Sequence, residues 1–276
     1  MIRVKNNRRE RGSALFHYAH FICDCLFPEI INGVYKYDEV VRMKNLNQTI
    51  GNFSGMYGDV MGSVNKELPK DEFNKLNVGT ISYRNKNIYS NRKDFDVFRD
   101  FIFSRYKINP LEYDGNYPEI ILVKRGGRIN LIDDETLSSM NKNVTTGKER
   151  REIKNIEKLE SYLNDKFGDK FKSMYFESIP FQDQVGIFNN AKLIVCAHGA
   201  VMSNMFFCKE GTTVIEVKCC GKVWGFFDTI SKILKLNHLK CKNNVEDIIK
   251  YIDGVYPIIW DVYCWKGWIV TEWNIS

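Results

Sequence analysis

The sequence predicts an α/β protein whose C-terminal half is a parallel sheet with helices on both faces. Two observations carry this. From residue 119 onward, runs of strand length (EIILVK, KLIVC, TVIEVK) alternate with amphipathic segments of helical period. Those runs are apolar almost without interruption, the pattern of strands covered on both faces. A third observation divides the chain. Pro110, Gly115 and Pro118 fall in a polar stretch at 108–118, which reads as a linker between a unit at 1–110 and a second at 118–254. At 276 residues the chain is long enough for one large core or two small ones.

Taken in order, residues 13–31 read as one amphipathic helix with Ser13 as its N-cap. Residues 35–90 hold short alternating runs at 39–43 and 78–83 between Asn- and Gly-rich turns, and read as short strands and loops. Residues 94–106 read as a helix with Phe95, Phe98, Phe101 and Phe103 as its apolar positions. Beyond the linker, strands are expected at 119–124, 173–177, 192–196, 213–218 and 238–241. Helices are expected at 149–167, 183–190, 201–207, 223–235 and 245–252. The aromatic tail at 255–276 is too apolar to stay in water and is expected to pack back across both halves, onto the N-terminal unit.

Hydrophobic residues make up 44% and charged residues 27%, which excludes a wholly disordered chain. The net charge of +6 is mild and spread out, so it suits an anionic small ligand. The basic groups at 8–11 and 148–154 read as solvated surface, and no nucleic-acid partner is expected. The eight cysteines include no C-x-x-C pair, which argues against structural zinc and for free buried thiols in a reducing compartment. A basic start followed by the apolar stretch 14–31 mimics a signal anchor. His17, His20, Asp24 and Glu29 interrupt it, however, so no membrane insertion and a soluble cytoplasmic protein are expected.

The sharpest local signal is KLIVCAHGAVMSN at 192–204, a buried strand, a small-residue turn and a helix. Ligands of doubly wound sheets sit at the carboxyl ends of the strands, where a helix N-terminus offers free N–H groups to phosphate. Gly199 and Ala200 let a phosphate approach the backbone, Ser203 and Asn204 offer side-chain donors, and His198 lies at the turn. The alternative is a tight connection with His198 buried against the sheet. Glu216, inside the strand TVIEVK, either accepts ribose hydroxyls or faces outward. The turn KRGGRIN at 124–130 ends another strand, so Arg125 and Arg128 can neutralise a diphosphate there. His20 and Asp24 share a helix face, and an Asp on one ring nitrogen raises the basicity of the other, as a general base requires. The same pair also fits a structural role, and His17 stands one turn away as an alternative base.

These pieces resemble glycosyltransferase family 61. HFICDCLFP (20–28), KRGGRIN (124–130), FQDQVGIFNNAKLIVCAHGAVMSNMFF (181–207) and GTTVIEV (211–217) occur in the family's order. The third is the most specific. The resemblance implies a GT-B architecture, two Rossmann-like domains facing across a cleft. It also implies an inverting, metal-independent transfer of a sugar, xylose or N-acetylglucosamine, from a UDP-sugar to a glycan acceptor, with no cofactor. Carried over by position, Arg125, Arg128, Asn130, His198, Gly199, Ala200, Ser203, Asn204 and Glu216 become donor-binding residues. His20 and Asp24 become the catalytic pair on the acceptor side. The chain departs from eukaryotic members in being short and without an anchor, and its Lys-, Asn- and Ile-rich composition resembles that of large DNA viruses and AT-rich microbes. Two rivals remain at this point. Asp94-Phe95-Asp96 matches the D-x-D of metal-dependent GT-A enzymes, and the basic groups would also serve a non-enzymatic protein that binds phosphate-rich polymers.

Overall fold

In the computed structural model the described residues, 1–6, 15, 17–45, 48–83, 91–126, 151–219 and 225–265, with side chains of the last helix described as far as 255, build two sheets in which every strand pairing is parallel. The first comprises β1 (Ile2–Asn6), β2 (Glu39–Met43), β3 (Val64–Leu68) and β4 (Thr80–Tyr83), in the order β3-β2-β1-β4. Reading the first residues only as a basic start misses β1, which is central. Ile2 and Val4 alternate into the core, while Arg3 turns its guanidinium over the Phe73 ring and donates to the Phe73 and Val78 carbonyls. Two apolar residues are too few to announce a strand. Likewise β3 (VNKEL) is a half-exposed edge strand and so carries no apolar run.

The first helix begins later than expected, at Tyr18. His17 takes the extended N-cap conformation, and Ser13 lies outside the described residues. The helix is also not uniform: α-helical Tyr18–Phe21 passes through a π-helical turn, Ile22–Leu26, into α-helical Phe27–Ile31. It ends at Gly33, whose φ of +70° is left-handed backbone that favours glycine.

One buried ion pair anchors this helix to the first sheet. Glu29 and Arg42 are both fully buried, and the guanidinium donates two parallel hydrogen bonds of 2.6 Å to the two carboxylate oxygens. Tyr57 and Tyr83 each donate to Glu29 at 2.8 Å, and Arg42 Nε donates to Asn65 at 2.7 Å. The helix, β2, β3, β4 and the Ser54–Met61 helix thus meet at one ion pair, and the charge that interrupts the apolar stretch 14–31 is satisfied inside the protein.

The second sheet contains β5 (Ile120–Lys124), β6 (Phe171–Tyr175), β7 (Leu193–Ala197), β8 (Thr213–Lys218) and β9 (Asn237–Lys242), ordered β6-β5-β7-β8-β9. Strands are where the sequence places them to within two residues. The described helices here are Ile156–Phe167, Phe181–Asn190, Phe226–Leu234 and Val245–Trp265. The last runs thirteen residues beyond its expected end at 252, and its Val245, Ile248, Ile252 and Val255 pack in the core of the second sheet. Residues 266–276 of the tail lie outside the described residues. The segment expected as a helix at 201–207 is a 3₁₀ helix, Ala200–Phe207.

The segment at 108–118 is strapped down. Asn190 accepts from the Asp114 N–H and donates to the Tyr117 carbonyl, both at 2.7 Å, and Lys209 donates to the Glu112 carbonyl. One apolar cluster contains residues of both sheets' layers, from Ile2 to Leu234. At its centre Phe206 of the 3₁₀ helix packs against Phe27, Phe95 and Phe98, ring centroids 4.9–5.2 Å apart. Among the described residues no helix is long and apolar enough to cross a membrane.

Removing one member of a buried ion pair strands the other. Arg42→Met is expected to destabilise the protein by about 3–5 kcal/mol, read as a lowered urea midpoint at unchanged slope.

Candidate active site

The carboxyl edge of the second sheet holds the first half of the site. Register aligns Lys124 with Tyr175, Val123 with Cys196 and Ala197 with Val217, so the loops after β5, β6, β7 and β8 leave the sheet side by side. Because β5 lies between β6 and β7, the chain order reverses between β5 and β7, and a crevice opens at that switch point. Arg125 leaves β5 there, and His198 and Gly199 leave β7. A cavity of about 210 Å³ lies alongside, its lining including Lys124, Arg125, Arg151, Glu160, Tyr175 and Ala197.

Gly199 has an extended backbone (φ 177°), so conformation does not demand glycine. Space does: a Cβ here would lie 2.4 Å from Arg125 Nη1 and 3.6 Å from Arg151 Nη1. The two guanidinium nitrogens are therefore within about 6 Å of one another. Arg151 also donates to the His198 carbonyl at 3.2 Å.

Behind the loop runs a chain of charged groups. His198 Nδ1 lies 2.5 Å from Glu216 Oε1, and His238 Nε2 lies 2.8 Å from Glu216 Oε2, a close contact not aligned as a hydrogen bond. His238 Nδ1 is 3.3 Å from Asp228, which Lys240 also binds. Parallel register explains the meeting, since Val214 pairs with His238 and Glu216 with Lys240, putting all four on one face. Glu216 is fully buried. Burial opposes its charge, yet the hydrogen bond from His198 and the contact with His238 outweigh it and hold the carboxyl at about 2. Both its oxygens face imidazoles, so the structure places Glu216 behind His198 and not at an open ribose site.

Ser203 and Asn204 are also fully buried, and their donors are used inside the protein. Ser203 Oγ donates to the Ala200 carbonyl at 2.6 Å, fixing the first turn of the 3₁₀ helix. Asn204 belongs to a network whose polarity can be read from one end. Gln184 Nε2 donates to the Phe176 and Ile179 carbonyls, so its Oε1 must accept. Asn204 Nδ2 donates to that oxygen at 2.8 Å, which turns Asn204 Oδ1 toward the Tyr18 hydroxyl 2.6 Å away. Tyr18 must then donate, and burial raises its phenol well above the ordinary value, which keeps that proton in place.

Tyr18 belongs to the helix that bears the second half of the site. His20 Nδ1 lies 2.6 Å from Asp24 Oδ2, with Asp24 buried and His20 one-third exposed. The π-helical turn Ile22–Leu26 falls just after His20 and contains Asp24, and such turns recur at functional positions. Asp24 engages Nδ1, which fixes the orientation of the ring. His17 is lowered by burial and then by His20, whose ring lies 6.3 Å from its own. Residues of Tyr18–Phe21 pack directly against Ala200–Phe207.

The structure thus brings together Arg125, His198, Gly199, Ala200, Ser203, Asn204 and Glu216, and sets the His20–Asp24 helix against them through Tyr18. Arg128 and Asn130 lie outside the described residues. Sequence reasoning missed Tyr18, Arg151, Gln184 and His238. Tyr18 and Gln184 sit in or beside quoted motifs, Arg151 sits in a charged group read as surface, and His238 has no local signal at all.

The family model described as Glycosyltransferase 61 matches residues 18–215, from the helix of His20 to the strand of Glu216. The chain belongs to glycosyltransferase family 61. No curated protein matches it significantly. Within this family 61 member the matched span takes in both halves of the site: the His20–Asp24 pair, the Arg125 turn and the His198 loop.

Glu216 makes the fold sensitive to acid. Its carboxyl stands at about 2 in the folded protein against an ordinary 4.5. The stability this gives is full above 4.5 and is lost as pH falls toward 2, up to about 3 kcal/mol in all. In Glu216→Gln, stability measured by denaturant titration is expected to fall less steeply between pH 4.5 and 2 than in the parent. An equal slope would mean that another group governs that window.

Proposed function

We propose that this family 61 protein is an inverting, metal-independent glycosyltransferase of GT-B design. It moves a sugar, xylose or N-acetylglucosamine, from a UDP-sugar to a glycan hydroxyl. The observation that carries the reading is the hydrogen bond from Tyr18 to Asn204. It holds the helix of the His20–Asp24 dyad against the loop that begins at His198. A base and an anion-binding loop held against each other are what a single displacement at a sugar carbon requires. Two parallel sheets, one on each side of residues 108–118, support the GT-B design.

In the displacement, His20 Nε2 takes the proton of the acceptor hydroxyl, and Asp24 orients the ring and stabilises the imidazolium that forms. The acceptor oxygen bonds to C1 of the sugar as the bond from C1 to the diphosphate breaks, and UDP leaves with the electron pair. Attack opposite the leaving group inverts C1. Arg125 and the N–H groups at the start of Ala200–Phe207 face the charge that develops on the diphosphate. His198, braced by Glu216, sits at the same loop.

The Asp94-Phe95-Asp96 triplet lies in the first turns of the Arg92–Tyr106 helix, with Phe95 buried and Asp96 hydrogen-bonded to Arg92 at 2.8 Å. That is a helix flank rather than the strand end where GT-A enzymes need a carboxylate pair, so it lends the metal-dependent reading no support.

His20→Ala is expected to lower turnover, followed as UDP release with a glycan acceptor, by about 10²–10⁴. UDP affinity should stay within twofold, because His20 acts on the acceptor. Turnover at the parent rate would exclude His20 as the base, and activity abolished by EDTA would exclude the metal-independent mechanism.

A further inference from the structure

Arg151 belongs to the basic group at 148–154, which composition alone assigns to solvated surface. The structure puts it elsewhere. Its Nη1 hydrogen-bonds the His198 carbonyl, and it lines the cavity beside Arg125. Its Nε is buried and makes no hydrogen bond, and among the described residues Arg151 forms no ion pair with any carboxylate. The acidic residues that share the cavity do not neutralise it. Glu160 is engaged by Lys124 and Ser173, and Glu152 and Glu157 are exposed.

Arg151 Nη1 and Arg125 Nη1 lie within about 6 Å of one another. Here they flank Gly199, the residue whose missing side chain leaves the backbone open. The 3₁₀ helix opens at the same point, Met202 N–H bonding back to the Gly199 carbonyl, so the N–H groups ahead of Met202 have no acceptor within the helix. A planar fork on each side and backbone N–H groups below fit an anion with several oxygens in a row.

We infer that Arg151 is a diphosphate-binding residue, closing with Arg125 on the donor's diphosphate across Gly199. This rests on the transferase reading for the identity of the donor, but not for the anion site itself. Arg151 approaches from the end of the 127–150 connection opposite to Arg125, so the two sides of that connection converge on one ligand group.

Isothermal titration with UDP, uridine and inorganic pyrophosphate tests it. In Arg151→Gln, UDP and pyrophosphate are expected to bind at least tenfold more weakly while uridine binding stays within twofold. Arg151→Lys should recover part of the loss, since it keeps the charge without the fork, and it serves as well should the Gln variant fold poorly. UDP affinity within twofold of the parent in a variant of normal melting temperature would overturn the inference. So would uridine and UDP weakened alike, which would mark Arg151 as structural. A parent protein that binds neither UDP nor pyrophosphate would also overturn it. A parent that binds pyrophosphate but not UDP, with that binding lost in Arg151→Gln, would uphold the anion site and remove the uridine-nucleotide reading instead.

Discussion

The two amide donations from Gln184 to the backbone carbonyls of Phe176 and Ile179 fix the direction of everything that follows from them. Once the Gln184 oxygen must accept, Asn204 must donate to it, and the Tyr18 hydroxyl, 2.9 Å from the Gln184 oxygen and 2.6 Å from the Asn204 oxygen, must donate. A buried network satisfied from end to end holds each amide in one orientation, because a flip sets like groups against each other. This one joins the end of β6, the Phe181–Asn190 helix, the 3₁₀ helix after Gly199 and the helix of His20. Arg99 grips the same 3₁₀ helix from the N-terminal half through the Phe206 and Cys208 carbonyls, and Phe206 lies among Phe27, Phe95 and Phe98. The His198 loop and the proposed base are therefore placed relative to one another by packing, as a reaction between two bound substrates needs.

Buried charge serves position at two further points. Glu29 collects Arg42, Tyr57 and Tyr83 beneath the first helix, and Glu216 collects His198 and His238 beneath the His198 loop. Each carboxylate lies under an element that carries a proposed functional group and has its oxygens occupied by protein. Leaving such a group unsatisfied is costly, so each also enforces the geometry around it.

Much of the second sheet was legible in the sequence, because β5, β7 and β8 are nearly continuous apolar runs of strand length that alternate with helical segments, the pattern of a parallel sheet covered on both faces. β1 and β3 were not, for opposite reasons: Ile2 and Val4 are too short a run, and Val64–Leu68 is a polar edge. The His20–Asp24 spacing and the His198 loop could be read locally. The role of Glu216 could not, since it depends on the register that sets His238 beside it across two strands. Ser203 and Asn204 were visible as polar residues in the right loop, but whether their donors face a ligand or the interior is decided by the Ala200 carbonyl for Ser203 and, for Asn204, by Gln184, twenty residues away. Arg151 shows the limit of reading a charged run by composition. Glu152 and Lys154 are exposed, while Arg151 reaches the His198 carbonyl and lines the cavity.

A thermal-shift titration of UDP, other nucleotides and UDP-sugars, with EDTA present throughout, tests the central claim most directly. A ligand that binds only the folded protein at a hundred times its dissociation constant adds about 2.7 kcal/mol of stability. The account predicts a raised midpoint with UDP and at least one UDP-sugar in EDTA. A folded protein whose midpoint moves with no nucleotide would contradict it.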